Sequence, residues 1–178
     1  MRKTVLTIGA GCALLLTACD NPKPRVVPPD PMAATPTQEE ATPPPTDGLS
    51  AGLTKRAEMA GFTLDRIGAA PDPLNRRPAL TPAGAPVVLD GFGFDPVAQA
   101  PGKGVDVVVD GRAYGAAYGR VRPDVATYFK NPALAAVGFA TQLPAGALSK
   151  GPHEVVVRVV AADGKSYFES PMIPFEVR

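Results

Sequence analysis

From Pro86 to the C-terminus, apolar positions recur every second residue in short runs separated by turn residues, the spacing of half-buried β-strands. "PVVLDGFGF" is apolar on both faces, with Val88, Phe92 and Phe94 at one parity and Val87 and Leu89 at the other. "VDVVVDGRAYGAAYGRV" sets Asp110-Gly111 between two β-prone runs, a hairpin signal because both turn positions need φ > 0. "GFATQLP" alternates Phe139, Thr141 and Leu143, and "HEVVVRVVAADGKSYFES" forms a second predicted hairpin around Asp163-Gly164. "MIPFEV" alternates Ile173, Phe175 and Val177, while Pro174 lacks a ladder N–H and points to an edge strand. The triplets Val105, Val107, Val109 and Val155, Val157, Val159 each share a parity and are predicted to face one core from two strands.

Upstream of Pro86 the signals are weaker. "FTLDRI" reads as a strand, with Phe62, Leu64 and Arg66 alternating against Thr63, Asp65 and Ile67. "SAGLTKRAEMAG" reads as a short helix capped by Ser50, with a stripe of Leu53, Ala57 and Ala60 and a stop at Gly61. A loop follows over residues 68–85, and "PDVATY" begins a one- to two-turn helix with Asp124 as its N-cap. Seven or eight short strands with no competing long helical period predict an all-β, antiparallel sandwich.

The N-terminus has a different pattern. Arg2 and Lys3 precede an apolar run from Val5 to Leu16, the layout of a secretory signal. The run is shorter than the roughly 20 apolar residues that span a bilayer. "LTAC", residues 16–19, resembles the lipobox of bacterial lipoproteins. That resemblance implies cleavage before Cys19, diacylglycerol on its thiol and acylation of the new amino group. Asp20 resembles an inner-membrane retention signal. Two or more acyl chains suffice for stable anchoring. Cys12 would leave with the signal and Cys19 would become a thioether, so the mature chain would hold no disulfide, zinc cluster or cysteine nucleophile.

Between Asn21 and Asp47, nine of 27 residues are proline and none is aromatic. Such composition disfavours a packed core and predicts a disordered, extended tether reaching roughly 80 Å. The expected organisation is a signal peptide over 1–18 and a lipidated, Pro-rich tether over 19–48. An N-terminal extension over 49–85 and a sandwich over 86–178 follow. Of the 18 lysines and arginines, Arg2 and Lys3 lie in the signal, leaving 16 against 17 acidic residues. That balance supplies no basic footprint for nucleic acid.

"LPAGALSKGPHEVVVRVVAADGKSYFESPMIPFEV" resembles the C-terminal half of bacterial immunoglobulin-like domains. The pattern is carried by Leu148, Gly151, His153, the Val155–Val160 run and Asp163-Gly164. "LDGFGFDP" and "GVDVVVDGRAY" resemble the front half, with Phe92 where relatives often carry Trp. The resemblance implies an immunoglobulin-like β-sandwich of about seven strands and no particular chemistry.

Tyr114 and Tyr118 share a strand parity with Ala116, opposite Gly115, Ala117 and Gly119. Exposed, they would make a shallow contact face; otherwise they cover the core or an edge. "RVRPDVATYFKNP" mixes Arg120, Arg122, Asp124, Tyr128, Phe129 and Lys130 in a crossover. It serves either as a binding loop or as a plug in which Arg122 and Asp124 tie the loop down. The candidate binding face is therefore Tyr114, Tyr118, Arg120, Arg122 and Tyr128. His153, the single histidine, begins a strand without a nucleophile beside it and is read as structural. Asp90, Asp95, Asp106, Asp110 and Asp163 invite calcium or glycosidase readings, but Asp110 and Asp163 precede turn glycines and no Asp-x-Asp-x-Asp loop occurs. No metal, cofactor or catalytic residue is assigned. The expectation is a lipid-anchored protein on the periplasmic side of a bacterial envelope, with the inner membrane favoured by Asp20. It presents a non-catalytic module to an envelope protein or polysaccharide, with a glycan-binding module or an Asp-based hydrolase as the alternatives.

Overall fold

The computed structural model describes residues 48–178; the expectations for the signal, Cys19 and the Pro-rich tether lie outside the described residues. The described chain forms twelve strands, one short α-helix and one 3₁₀ turn.

Strand β1 (Thr54–Met59) lies parallel beside the later strand at Ser166–Glu169. This corrects the helix expected over 50–61. The turn at its start holds Gly52 at φ +73, and five of the six β1 side chains are exposed. Edge pairing rather than an apolar stripe sets its conformation. At buried Ala60 the chain crosses to the second sheet and becomes β2 (Gly61–Ile67). The register of β2 slips by one residue between Leu64 and Arg66, so that Asp65 is the extra residue. The bulge breaks the expected alternation: Asp65 and Arg66 both point out, so Ile67 joins Leu64 in pointing inward. Two short strands lie within the expected loop, β3 (Ala70–Pro71) and β4 (Ala79–Thr81).

The central strands follow the sequence pattern closely. β5 (Val87–Phe94) pairs with β2 on one side. β6 (Gly104–Val109) and β7 (Arg112–Gly115) form the Asp110-Gly111 hairpin, with both turn residues at positive φ. At Ala116 the chain switches sheets again, and β8 (Ala117–Arg120) joins the sheet of β5. Helix α1 (Pro123–Tyr128) and a 3₁₀ turn (Pro132–Ala136) cross to β9 (Gly138–Leu143), which pairs with β5 and β8. The α1 N-cap is Arg122, with Pro123 next, so Asp124 sits in the first turn rather than at the cap.

β10 (Gly151–Val160) pairs with β6 on one edge. Its other edge carries β11 (Ser166–Glu169) at one end and β12 (Ile173–Val177) at the other. Ser170 bridges the break: its N–H donates to the Val157 carbonyl at 2.9 Å, and its Oγ accepts from the Val157 N–H at 2.9 Å. β12 is flanked by β10 and, in parallel, by β4, so it is not the edge strand that Pro174 suggested. The β4 pairing begins at Phe175, which leaves Pro174 just beyond its end.

One sheet thus runs β3-β2-β5-β9-β8, and the other places β7 and β6 beside β10, with β11 and β12 on the far side. These are the A-B-E-D and C′-C-F-G arrangements of an immunoglobulin-like sandwich. The pairs are antiparallel except β1 with β11 and β12 with β4. The core lies between the sheets. Val155 faces Val109, Val157 faces Val107 and Val159 faces Val105 across adjacent strands, and all six are buried in one cluster. The triplets therefore share a core, as expected, and are also direct cross-strand neighbours.

Candidate functional site

The outer face of the β5 sheet carries the feature that departs most from a simple sandwich. Outward faces of antiparallel sheets are commonly polar. Here β5 turns Phe92 and Phe94 to that side, and a second small core forms above it from Phe94, Val125, Leu134 and Val137, with Phe92 packed against it. The crossover of α1 and the 3₁₀ turn is its lid. Asn131 fixes that crossover by accepting from the Ala133 N–H and donating to the Gln99 carbonyl at 2.7 Å.

The lid leaves a groove of about 480 Å³ uncovered. Its floor is Thr63 and Phe92, paired across β2 and β5, with Phe62 at the margin and its ring packed against the main core; its wall is Asp124, Val125, Tyr128 and Phe129. Tyr128 is 81% exposed. The rings meet edge to face: Tyr128 and Phe129 at 79° and 5.0 Å, Phe92 and Phe129 at 83° and 6.1 Å. Four of the chain's eleven Phe and Tyr residues, Phe92, Phe94, Tyr128 and Phe129, gather here.

A charged cluster closes one end. Arg122 donates through Nε and Nη2 to both oxygens of Asp124, at 2.9 and 2.7 Å, and through Nη1 to Asp65 at 2.6 Å. Asp65 follows inward-facing Leu64 and so points outward, at that guanidinium. Arg122 also lies over the Phe92 ring, 5.4 Å from its centroid. Its hydrogen bonds hold the Asp124 carboxyl below its ordinary value, against the opposing effect of burial. Beyond the cluster is a smaller hollow of about 260 Å³ lined by Asp90, Gly91 and Arg120 among others. Gly91 is required there: a Cβ would fall 2.1 Å from the Thr63 carbonyl oxygen and push β2 off β5.

The expected binding face divides. Tyr114 is only 4% exposed and belongs to the main core, so it cannot present its ring to a partner. Tyr118 is half-buried; its hydroxyl donates to the Gly93 carbonyl at 2.7 Å and accepts from the Gly102 N–H at 3.1 Å. Burial raises its phenol pKa, and the Gly102 amide opposes that shift. The sheet switch at Ala116 is the reason: Tyr114 and Tyr118 lie on strands of different sheets and both turn toward the interior. Arg120, Arg122 and Tyr128 do lie together around the groove and its neighbouring hollow. Phe92 and Phe129 complete the surface; Phe129 was noted in the crossover, but neither was placed in the expected face. The apolar residues on both faces of the β5 segment were the available signal, because a second apolar face needs a cover.

The aspartates considered for calcium act as backbone acceptors or ion-pair partners. Asp95 accepts from Val97, Ala98 and Ala162 N–H groups. Asp106, fully buried, accepts from Leu49 and Ser50 N–H at 2.9 and 2.7 Å. Asp90 pairs with Arg66, and Asp163 accepts from the Lys165 N–H. Asp110 accepts from the Glu154 N–H and bonds the His153 ring.

His153 is a corner residue. Nδ1 lies 2.6 Å from Asp110 Oδ2 and Nε2 lies 2.8 Å from the Ser149 carbonyl, four residues upstream. This is the placement of the tyrosine corner at the start of strand F in immunoglobulin folds, filled here by imidazole. Both partners accept protons, which favours the doubly protonated ring. Burial alone would lower the pKa; the bonds to Asp110 and Ser149 outweigh it and raise the value.

Comparison with protein-family models gives no match, and comparison with curated proteins gives none either. Among solved structures, the endo-β-1,4-mannanase from Thermotoga petrophila aligns at 14% identity and a TM-score of 0.40. The alignment covers 69% of this chain and 20% of the mannanase. What the fold and the groove define together is an immunoglobulin-like sandwich with an aromatic cleft on its outer A-B-E-D face.

Proposed function

We propose that the protein is a lipid-anchored lipoprotein of the bacterial cell envelope, held through Cys19 on the periplasmic side. Its sandwich acts as a non-catalytic module that binds an envelope partner through the aromatic groove. The observation that carries the binding reading is the exposed Tyr128 over a groove floored by Thr63 and Phe92. A ring left 81% in water above a half-covered apolar floor has the composition of a contact hot spot.

The placement of the N-terminal connection supports the same reading. Asp106 lies on the outward parity of β6 and clamps Leu49 and Ser50 there. Gly48 is at φ +80, and a Cβ would fall 2.9 Å from both Ala113 Cβ and Asp106 Oδ2. Residues 48–50, the first described, therefore lie on the outer face of the β6–β10 sheet, while the groove opens on the outer face of the other sheet.

Two measurements test the two halves. Cys19→Ser should abolish labelling with radioactive palmitate and membrane retention; unchanged labelling would refute the anchor. Tyr128→Ser should melt like the wild type yet lose the partner retained from detergent-solubilised envelopes. Retention of the same partner by this variant would refute the groove.

A further inference from the structure

β2 leaves one edge open. β3 covers that edge only at Arg66 and Ile67, and the Asp72 N–H reaches the Asp65 carbonyl at 2.8 Å before the chain turns away at φ +53. Residues 61–64 have no neighbour on that side. An open strand edge is a template for pairing, and proteins blunt such edges with charge, proline or bulges. The other open edges among the described residues are blunted in this way. β1 carries Lys55, Arg56 and Glu58, and β4 lies between Pro78 and Pro82. β7 begins at Arg112, and β8 breaks its register before Arg120, with Gly119 at φ +95. Residues 61–64 hold no charge, proline or bulge; the charge and the bulge begin at Asp65.

The hydrogen-bonding sense of this edge follows from β5. Gly93 donates its N–H to the Val137 carbonyl at 2.9 Å, so its main-chain groups face away from β2. These groups alternate along a strand, so those of Phe92 and Phe94 face β2 and meet Thr63 and Gly61. Phe62 and Leu64 therefore turn their N–H and carbonyl groups to the open edge. We propose that this edge pairs antiparallel with the same edge of a second copy of the chain, about a two-fold axis beside Thr63. The register is self-complementary. Phe62 lies opposite Leu64 of the second copy, each such pair exchanges both its bonds, and the two Thr63 residues stand directly opposite. A two-fold sets each side chain near its own copy, where like charges would repel, and this stretch has none. The row also ends where it must. Gly61 of the second copy would come opposite Asp65, where Asp72 already stands, and at buried Ala60 the chain leaves for its other sheet.

The second copy completes the groove. A two-fold normal to the sheet keeps both outer faces on one side, and Thr63 lies on the groove floor at the open edge, so the two grooves meet across the Thr63 pair. The two Tyr128 rings then stand on opposite walls of one trough, and the two Phe92 residues lie three strand spacings apart, roughly 14 Å. Three residues a side fall well short of the roughly 800 Å² per partner of a standard stable interface, so the dissociation constant should be on the order of 100 µM. The pairing stands on the strand edge and is independent of the partner proposed for the groove.

Sedimentation equilibrium of the full chain in detergent, from about 10 µM to about 1 mM, should show a reversible monomer–dimer equilibrium. Thr63 is half-buried on the outer face, so Thr63→Lys and Thr63→Glu should fold, checked by circular dichroism. Each alone should dimerise about tenfold more weakly, and their equimolar mixture should recover the dimer. Opposed residues of this kind lie about 4.5 Å apart at Cα, within disulfide reach. Thr63→Cys should therefore give an interchain disulfide on mild oxidation, above the background set by Cys12 and Cys19 in the wild type, and Lys55→Cys on β1 should add none. Tyr128→Ser should dimerise like the wild type, so failure of the edge and failure of the groove read separately. A wild-type chain that stays monomeric at about 1 mM overturns the proposal and leaves the edge to a foreign strand. So does a mixture of Thr63→Lys and Thr63→Glu that recovers no dimer, or an equal disulfide yield from Lys55→Cys.

Discussion

Replacing Asp106 separates the clamp on the N-terminal connection from the rest of the fold. The carboxylate is fully buried and accepts two backbone N–H groups, from Leu49 at 2.9 Å and Ser50 at 2.7 Å. A hydrogen bond to a charged acceptor contributes about 1.5–3 kcal/mol, so Asp106→Ala loses about 3–6 kcal/mol gross. Two effects offset that loss. Removing a buried charge recovers several kcal/mol of desolvation. The segment at 48–51 can also lift away, so its N–H groups meet water instead of remaining orphaned. The expected net loss is about 1–2 kcal/mol, a fall in Tm of roughly 3–6 °C for a domain of this size. Asp106→Asn keeps the shape but offers one carbonyl and turns an NH₂ toward the second N–H. It should therefore destabilise at least as much as Ala. Hydrogen exchange gives the local reading: Leu49 and Ser50 amides should be protected in the wild type and exchange rapidly in both variants. Wild-type melting and unchanged exchange in Asp106→Asn would refute the clamp.

Other changes test the core, the corner and the corrected tyrosines. Val157→Asp puts a charge opposite Val107 in the sealed core; several kcal/mol of desolvation plus about 1.5–3 kcal/mol of lost burial should unfold a domain with about 5–15 kcal/mol in reserve, read by circular dichroism. For His153 the folded pKa lies above the ordinary value, so its stabilisation is complete below about pH 6.5 and is lost as pH rises through the folded pKa. The wild-type Tm should fall across that rise, and His153→Phe should melt lower in acid and lose the slope. Tyr114→Ala should cost about 3–5 kcal/mol as a core truncation, and Tyr118→Phe about 1–2 kcal/mol for the lost bridge between Gly93 and Gly102; equal, negligible shifts in thermal melts would show that neither ring is held as described.

The sandwich was legible where side-chain period and turn chemistry agreed. The valine triplets, the Asp110-Gly111 hairpin and the closing Ile173, Phe175, Val177 alternation all carry their own burial pattern. β1 was not legible because its side chains face water, leaving its helix-compatible composition as the stronger local signal. β4 is three residues held by β12, a partner nearly a hundred positions later. The Asp65 bulge and the switch at Ala116 each change strand parity, and no period count anticipates them. That is why Tyr114 and Tyr118 read as one face and are not. In the site, Tyr128 and Arg122 were visible as an unusual loop. Their union with Phe92 depends on the crossover folding back over β5.

Photo-crosslinking from position 128 tests the central claim most directly. A benzophenone amino acid replacing Tyr128 would be activated in living cells that make the full chain, beside a control at Lys165, which lies in the β10–β11 turn. The account predicts one discrete crosslinked envelope protein from position 128, absent from position 165 and lost on adding Asp124→Lys. No crosslink at 128, or the same products from both positions, would contradict it.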